Sequence, residues 1–216
     1  MKKKKRNIYS QMITISVILS AVVILFFITL GNQQEPQLRE YGSSFAVNEI
    51  PEEFIPVYQD AAEEYNVSWE LLAAIHRVET VFSTMNELES PVGAMGHMQF
   101  MPCTFVGWNY PGCEGNGSLD IPESELTSVE VIEEYGGYGT DGNGNGRADP
   151  YNLEDAVYST ANYLASNGAG SGREEAAIFN YNQADWYVDE VLEYRRAYSE
   201  EYVAVELSDE EKKHIN

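Results

Sequence analysis

Apolar side chains recur at three- and four-residue steps over residues 54–78, and this spacing constrains the fold more than any other feature of the sequence. One series runs from Phe54 to Tyr65 and a second from Leu71 to Val78, with the polar stretch YNVS between them. Such spacing places the apolar side chains on one face of an α-helix. Ser68 stands where the second helix would begin and is a typical N-cap residue, although the full capping box is absent. The pattern predicts two consecutive amphipathic helices.

Four later segments carry helix signals as well. SVEVIEEYGG and NLEDAVYSTANYLASNG both run into glycine, which commonly ends a helix. REEAAIFNYN and ADWYVDEVLEYRRAY predict a final pair of helices, and strand signals are sparse. We therefore predict a mainly α fold in which residues 51–200 form one domain with a Gly-rich middle segment.

The N-terminal region has the pattern of a membrane anchor. Five basic residues in MKKKKR precede an uncharged, largely apolar run at residues 12–30, which is long enough to cross a bilayer. Basic residues on that flank predict that residues 1–11 are cytoplasmic. A cleaved signal peptide is the alternative, but LGNQQEPQ offers no small-residue cleavage site. We predict a single-pass anchor at the cell membrane, a linker at residues 31–50, an extracellular domain and a polar tail at residues 201–216.

Charge excludes one class of partner. The 216 residues contain 13 Lys and Arg against 35 Asp and Glu, for a net charge of −22. All the acidic residues follow the apolar run, so the predicted extracellular part is more acidic than the whole. Such a surface repels nucleic acid and anionic lipid headgroups. We expect no nucleic-acid partner, and contact with the membrane only through the N-terminal helix.

Two cysteines occur, Cys103 and Cys113, and both follow the predicted anchor. A metal site would need further ligands, and no histidine lies between them. A local disulfide suits the predicted oxidising compartment better.

Glu79 is a candidate proton donor. It follows the apolar face that ends at Val78, and two apolar residues, Val81 and Phe82, come shortly after it. Apolar surroundings favour the neutral form of a carboxyl group and raise its pKa toward neutrality. The alternative is an exposed acid at the end of a helix. A helix ending in VET, then GAMGHMQFMPCTF, then AAIFNYNQADWYV form an ordered set of three motifs that distinguishes the two interpretations.

Together these motifs resemble the superfamily of goose-type lysozymes and soluble (SLT-domain) lytic transglycosylases, across roughly residues 54–200. The resemblance implies a lysozyme-like helical domain in which the Gly-rich segment lines a saccharide cleft and Glu79 is the catalytic residue. Thr80 stands where the family usually has Ser, and His97 stands where it often has Leu. The residues that the resemblance places against the substrate are Thr80, Gly96, Met98, Gln99, Tyr181 and Asn182.

The same resemblance implies cleavage of the β-1,4 bond between N-acetylmuramic acid and N-acetylglucosamine in peptidoglycan. Glu79 would act as acid and then as base, without a cofactor, and leave a 1,6-anhydro sugar. We expect Gly96 to let the backbone approach the glycan strand, Met98 to form an apolar wall, and Tyr181 to hydrogen-bond near Glu79. A hydrolytic muramidase using the same glutamate and a noncatalytic calcium-stabilised wall-binding module are the alternatives.

A second group of polar residues lies in DGNGNGRADPYNLED at residues 141–155. Its opening matches a calcium loop, but the twelfth residue is Asn152 rather than the usual Glu. Some membrane-bound lytic transglycosylases have a similar, longer loop closed by the fifteenth residue. The candidate ligands of a structural calcium are Asp141, Asn143, Asn145, the carbonyl of Arg147, and Asp155. The alternative is a solvated Gly- and Asn-rich turn.

Overall fold

The computed structural model describes residues 45–85, 87–115, 120–209 and 211–214. The predicted cytoplasmic segment, the predicted anchor at residues 12–30 and most of the predicted linker lie outside these ranges. Within them, no helix has both the length and the apolar character needed to cross a membrane.

The described part is mainly helical, so the prediction of a mainly α fold is confirmed. Short 3-10 helices occur at Glu52–Phe54, Ala169–Ser171 and Glu211–His214. The α-helices are α1 (Ile55–Tyr65), α2 (Trp69–Thr80), α3 (Pro102–Val106), α4 (Glu123–Leu126), α5 (Val129–Tyr135), α6 (Leu153–Ser166), α7 (Glu174–Tyr181) and α8 (Asp185–Glu200).

Helix α2 lies at the centre of the fold and positions Glu79. The Ser68 Oγ accepts a hydrogen bond from the Leu71 N–H at 3.3 Å, so the predicted N-cap is confirmed. The α2 face carrying Leu71 and Ile75 has no exposed surface. Helix α2 packs most extensively against α8 and also contacts α1. The apolar spacing seen in the sequence is therefore the face that fixes α2 in the core.

Two segments predicted as linker and polar tail form a small parallel sheet instead. Strand β1 (Glu49–Pro51) pairs with strand β2 (Val203–Val205), with Ile50 opposite Ala204. Residues 49–50 of the predicted linker and residues 203–205 of the predicted tail therefore belong to the folded domain. Phe45, Ile50 and Leu207 are buried at 7%, 0% and 4% exposure and hold these segments on the body. Each strand has only three residues, too few for a visible period of two.

Arg77 fastens the segment before β1 to the helices. Its Nη1 donates to the Ala46 carbonyl at 2.8 Å and its Nη2 to the Phe45 carbonyl at 2.9 Å. The guanidinium lies 4.3 Å from the centre of the Tyr194 ring, and Nη1 also donates to the Tyr198 hydroxyl. Arg77 is only 5% exposed, so its charge is stabilised by carbonyl groups and aromatic rings.

The Cys103 and Cys113 sulfurs form a disulfide, as predicted. The bond joins the first turn of α3 to the loop that follows that helix. Both residues are buried, at 2% and 1% exposure. The bond closes a short loop beside the segment that the sequence placed in the cleft.

Candidate active site

Glu79 occupies the last turn of α2, and the backbone reverses immediately after it. Val81, Phe82 and Ser83 all have left-handed backbone angles, with φ of 51°, 58° and 63°. For residues other than glycine this conformation costs about 1–2 kcal/mol each, and it is rarest for β-branched residues such as Val81. Phe82 offsets part of this cost, because its fully buried ring packs edge-on against Phe45. The left-handed turn, residues 81–83, thus depends on surrounding contacts.

The carboxyl group of Glu79 is set up to hold a proton near neutral pH. Burial raises its pKa from an ordinary 4.5 to about 7, although a hydrogen bond from Tyr187 acts in the opposite direction. The Tyr187 hydroxyl donates to Glu79 Oε1 at 2.6 Å. A carboxyl group with this pKa is protonated in a large fraction of molecules at pH 7, and it can donate that proton to a substrate.

Tyr187 makes a contact with Glu79 that the sequence did not predict. Tyr181 was expected to hydrogen-bond near Glu79, but its hydroxyl donates to the Met98 carbonyl at 2.7 Å instead. Tyr181 thus makes its hydrogen bond within reach of the charge of Glu79 but not to the carboxyl group, and Tyr187 makes the direct contact. In sequence, Tyr187 shares an apolar helical face with Val191 and Tyr194 and resembles any core residue of α8. Nothing in its spacing points to Glu79.

The two tyrosines nevertheless act on the same site. Their rings are nearly parallel, with an angle of 6° and centroids 6.5 Å apart. Burial raises the pKa of both hydroxyl groups, and the charge of Glu79 raises them further. Tyr181 and Tyr187 therefore remain protonated at neutral pH, so Tyr181 can donate to the Met98 carbonyl and Tyr187 can donate to the Glu79 carboxylate.

The Gly96 to Gln99 segment forms a tight turn closed by reciprocal backbone hydrogen bonds between Met95 and Phe100, of 2.8 and 2.9 Å. Gly96 has φ of 71°, and a Cβ atom there would lie 1.8 Å from the Pro150 carbonyl oxygen. Glycine is therefore required by the close approach of the protein's own backbone. The expected role of Gly96 in approaching a sugar is corrected accordingly.

Two further residues expected against the substrate are buried. Met98 and Thr80 both have 0% exposure, so neither forms a cleft wall. The Thr80 hydroxyl donates to the His97 carbonyl at 2.8 Å and accepts from the Ser83 N–H at 3.1 Å. Thr80 and Met98 are therefore supports of the site, and their assignment as substrate contacts is wrong.

Gln99 and Asn182 keep partial exposure, as do Glu79 and Tyr181. The Gln99 Nε2 donates to the Leu88 carbonyl at 3.0 Å and to the Gly96 carbonyl at 2.9 Å. These bonds fix the orientation of the amide, because both of its N–H groups are used by the backbone. Asn182 is the C-cap of α7. From the predicted substrate set, Gln99, Tyr181 and Asn182 remain candidates together with Glu79.

The loop at residues 141–155 is organised by hydrogen bonds from its own backbone. The Asp141 carboxylate accepts from the Asn145 and Gly146 N–H groups at 2.9 and 2.7 Å. The buried Asp155 accepts from the Gly142 N–H at 2.9 Å and also from Asn143 and Asp149. In the described ranges, no cluster of three or more His, Cys, Asp and Glu residues could hold a metal ion.

Of the predicted calcium ligands, only Asp141 and Asp155 are carboxylates, and both already accept hydrogen bonds from backbone N–H groups. Asn143 and Asn145 use their side-chain oxygens as acceptors for backbone N–H groups two residues ahead. The Arg147 side chain turns away to Glu123, at 3.0 Å. Burial raises the pKa of Asp155, three backbone hydrogen bonds act in the opposite direction, and the nearby charge of Asp141 adds a smaller increase. Two carboxylates that repel each other are compatible with a cation between them, so calcium remains a prediction.

Comparison with known proteins gives a partial match to the superfamily that the sequence motifs resemble. Residues 56–128 match the family model described as the Transglycosylase SLT domain. The matched range contains Glu79 and the Gly96 to Gln99 segment, but it ends before Tyr181, Asn182 and Tyr187.

A protein of Bacillus subtilis (strain 168) described as L-Ala--D-Glu endopeptidase is 25% identical over 183 residues. The aligned region covers 84% of this chain and 50% of that protein. The chain thus spans about half the length of this curated relative. No solved structure gives a significant match.

Proposed function

We propose that this protein is a lytic transglycosylase that cleaves the β-1,4 bond between N-acetylmuramic acid and N-acetylglucosamine in peptidoglycan. The observation that carries the proposal is Glu79, a carboxyl group with a pKa of about 7 at the end of a buried helix. The match of residues 56–128 to the SLT domain supports the substrate class. The remaining steps follow from what a single carboxyl group can do.

Glu79 begins as the acid. Its O–H protonates the bridging oxygen while the bond from that oxygen to C1 of N-acetylmuramic acid breaks. The acetamido oxygen of the substrate stabilises the electron-deficient C1. Tyr187 keeps its hydrogen bond to Glu79 Oε1 and stabilises the carboxylate that this step creates.

Glu79 then acts as the base. Its carboxylate accepts the proton of the C6 hydroxyl while O6 forms a bond to C1, which gives the 1,6-anhydro product and restores the acid. Burial raises the pKa of Glu79 to about 7, and the hydrogen bond from Tyr187 lowers it. We assign both steps to Glu79, because a pKa near 7 suits a group that first donates a proton and then accepts one.

Hydrolysis by the same residue is the nearest alternative, with water in place of the C6 hydroxyl. The peptide-bond specificity named for the Bacillus subtilis relative belongs to a protein of twice the aligned length. Cleavage of a peptide bond by a cysteine nucleophile would need a free thiol. The chain has two cysteines, and they are joined to each other in a disulfide.

We further propose that the catalytic domain faces the cell wall and is held at the membrane by residues 12–30. The disulfide supports a compartment outside the cytoplasm, because such bonds persist in oxidising environments. Protease treatment of intact cells would test this orientation. The domain should be cleaved from outside, while a tag placed before residue 1 should stay protected.

Mass spectrometry of products from purified peptidoglycan tests the reaction. We expect 1,6-anhydro ends from the wild-type protein, whereas a hydrolase would give reducing ends that are heavier by one water molecule. Glu79→Gln keeps the shape of the side chain but cannot deliver a proton, so turnover should fall by at least ~10²-fold. Retention of more than about a tenth of wild-type turnover would show that Glu79 is not the acid.

A further inference from the structure

A continuous line of buried hydrogen bonds runs beside Glu79 without including it. The Tyr58 hydroxyl lies 2.6 Å from His76 Nδ1, and His76 Nε2 lies 2.6 Å from Ser83 Oγ. Ser83 Oγ is 2.7 Å from His97 Nδ1, and His97 Nε2 is 2.9 Å from the Tyr151 carbonyl oxygen. We call Tyr58, His76, Ser83 and His97 the histidine chain. All four are 0–1% exposed.

The carbonyl at one end fixes the direction of every bond in the histidine chain. The Tyr151 oxygen can only accept, so His97 Nε2 carries the proton and His97 Nδ1 accepts from the Ser83 hydroxyl. Ser83 Oγ must then accept from His76 Nε2–H, which leaves His76 Nδ1 to accept from the Tyr58 hydroxyl. Both imidazoles are neutral with the proton on Nε2, and each donor in the line has one acceptor.

The histidine chain joins the helix that carries Glu79 to the Gly96 to Gln99 segment. His76 lies on α2 one turn before Glu79, and Ser83 ends the left-handed turn that follows it. His97 belongs to the Gly96 to Gln99 segment. Thr80 adds a parallel connection through its bond to the His97 carbonyl. The catalytic helix and the cleft segment are therefore held together by side chains on both sides of Glu79 in sequence.

Charged and titratable groups around the line agree with neutral imidazoles. Burial lowers the pKa of His76, and the neighbouring His97 lowers it further. Burial also lowers the pKa of His97, although the Tyr151 carbonyl and Asp149 act in the opposite direction. Protonating either ring would set two donors against each other and bury a charge, both of which cost free energy.

We propose that His97, acting through Ser83 and His76, is a positioning residue that holds the left-handed turn and thereby the carboxyl group of Glu79 in its catalytic setting. The hydrogen-bonded line replaces the apolar contact that a leucine at position 97 would make. This role rests on the proposed function, because positioning has meaning only for a reaction at Glu79.

Three substitutions of His97 distinguish the hydrogen bond of Nδ1 from that of Nε2. His97→Leu removes both hydrogen bonds. His97→Asn retains an acceptor close to Nδ1 for Ser83, and His97→Gln retains a donor close to Nε2 for the Tyr151 carbonyl. With the full-length protein on purified peptidoglycan, we expect kcat to fall about tenfold in His97→Leu and His97→Gln, with KM within twofold of wild type. His97→Asn should recover kcat to within about threefold.

The pH profile gives a readout that loss of stability alone would not change. Because relaxation of the turn exposes Glu79 to water, the pH at which kcat/KM falls on the alkaline side should move below 7 in His97→Leu and stay near 7 in His97→Asn. Equal activity of the three variants, or an unchanged profile in His97→Leu, would overturn the positioning role.

Ser83→Ala repeats the test with the loss of a single oxygen atom, in case His97→Leu does not fold. Ser159→Ala is the matched control, since Ser159 is also buried and its hydroxyl also makes two hydrogen bonds, at 2.6 and 2.9 Å. The control should keep kcat within twofold of wild type. A tenfold loss in the control as well would mean that any buried hydroxyl has this effect, which would refute the proposal.

Nitrogen NMR of the imidazoles reports on the histidine chain without any enzyme assay. Both rings should show neutral Nε2–H tautomers at pH 7, and Ser83→Ala should perturb both. If wild-type protein cleaves no glycan, the proposed function fails and the positioning role falls with it. If glycan is cleaved but the rings are charged or have the Nδ1–H tautomer, only the histidine chain is wrong.

Discussion

The Glu79 carboxyl group and the histidine chain both involve the end of α2, yet their buried titratable groups are paired in opposite ways. Each imidazole nitrogen in the chain has a partner of the correct kind. Glu79 has a hydrogen bond from Tyr187 and is otherwise shifted by desolvation. The comparison shows how one helix end can carry both a rigid support and a reactive group. Complete pairing gives the support, and incomplete pairing keeps the carboxyl group ready to exchange a proton.

The two regions also respond to pH in opposite directions. The pKa of Glu79 is higher in the folded state than its ordinary 4.5, so its effect lowers stability as pH rises from 4.5 to about 7. The pKa values of His76 and His97 are lowered on folding. Their contribution is present above the ordinary pKa of 6.5 and is lost as pH falls below it. Substitutions in each region should therefore separate the two effects.

The largest stability change is expected from Glu79→Gln. The glutamine cannot ionise, so it avoids the cost of burying a carboxylate, which is about 3 kcal/mol at pH 8 for a shift of this size. The variant should be more stable than wild type at pH 8 and equally stable at pH 4. Denaturant unfolding at both pH values measures this. If the variant and the wild type are equally stable at pH 8 as well as at pH 4, Glu79 is not desolvated.

Ser83→Ala should change stability in the other direction. The substitution leaves one imidazole donor and one imidazole acceptor buried without partners, which costs about 2 kcal/mol at pH 7. Thermal unfolding beside Ser159→Ala would show whether the loss exceeds that of an ordinary buried hydroxyl. A loss below that of the control would indicate that the histidine chain contributes little to stability.

Tyr187→Phe tests how much the hydrogen bond from Tyr187 changes the pKa of Glu79. The Tyr187 hydrogen bond lowers the pKa of Glu79, so its removal should raise that pKa. The alkaline limb of kcat/KM should move upward by about one pH unit or less. Tyr181→Phe is the comparison variant, because its hydroxyl bonds to the Met98 carbonyl instead. A downward shift in Tyr187→Phe would contradict the assigned hydrogen bond.

The smallest effect is expected from calcium at the loop of residues 141–155, a third region in which backbone N–H groups supply the pairing. Two carboxylates, Asp141 and Asp155, predict weak binding with a Kd on the order of 10⁻⁴–10⁻³ M. Several millimolar calcium should then stabilise the protein by about 1 kcal/mol, and Asp141→Ala should abolish the gain. Identical melting curves in calcium and in chelator would show a solvated turn.

Local patterns in the sequence were sufficient for part of this architecture. Apolar spacing and Ser68 predicted α1 and α2. The expected oxidising compartment predicted the disulfide between Cys103 and Cys113. Strands β1 and β2 could not be found, because their pairing joins residues more than 150 positions apart. Three-residue strands carry no usable period.

Within the site, the sequence indicated Glu79 but not its surroundings. Thr80, Gly96 and Met98 were assigned to the substrate, although the structure uses them for contacts within the protein. Motif resemblance identifies positions without stating which way a side chain faces. Tyr187 was missed for the complementary reason, since a core residue on α8 gives no local sign that its hydroxyl reaches Glu79.

Arg77 has a mechanical consequence. The carbonyl groups of Phe45 and Ala46 are bound by the Arg77 guanidinium, which also lies over the ring of Tyr194 on α8. Because Arg77 is itself part of α2, two residues before Glu79, a pull at Phe45 would pass through these hydrogen bonds to the end of that helix, and the pair of β1 and β2 would share the load. The position of Glu79 is therefore mechanically coupled to the segment that precedes β1.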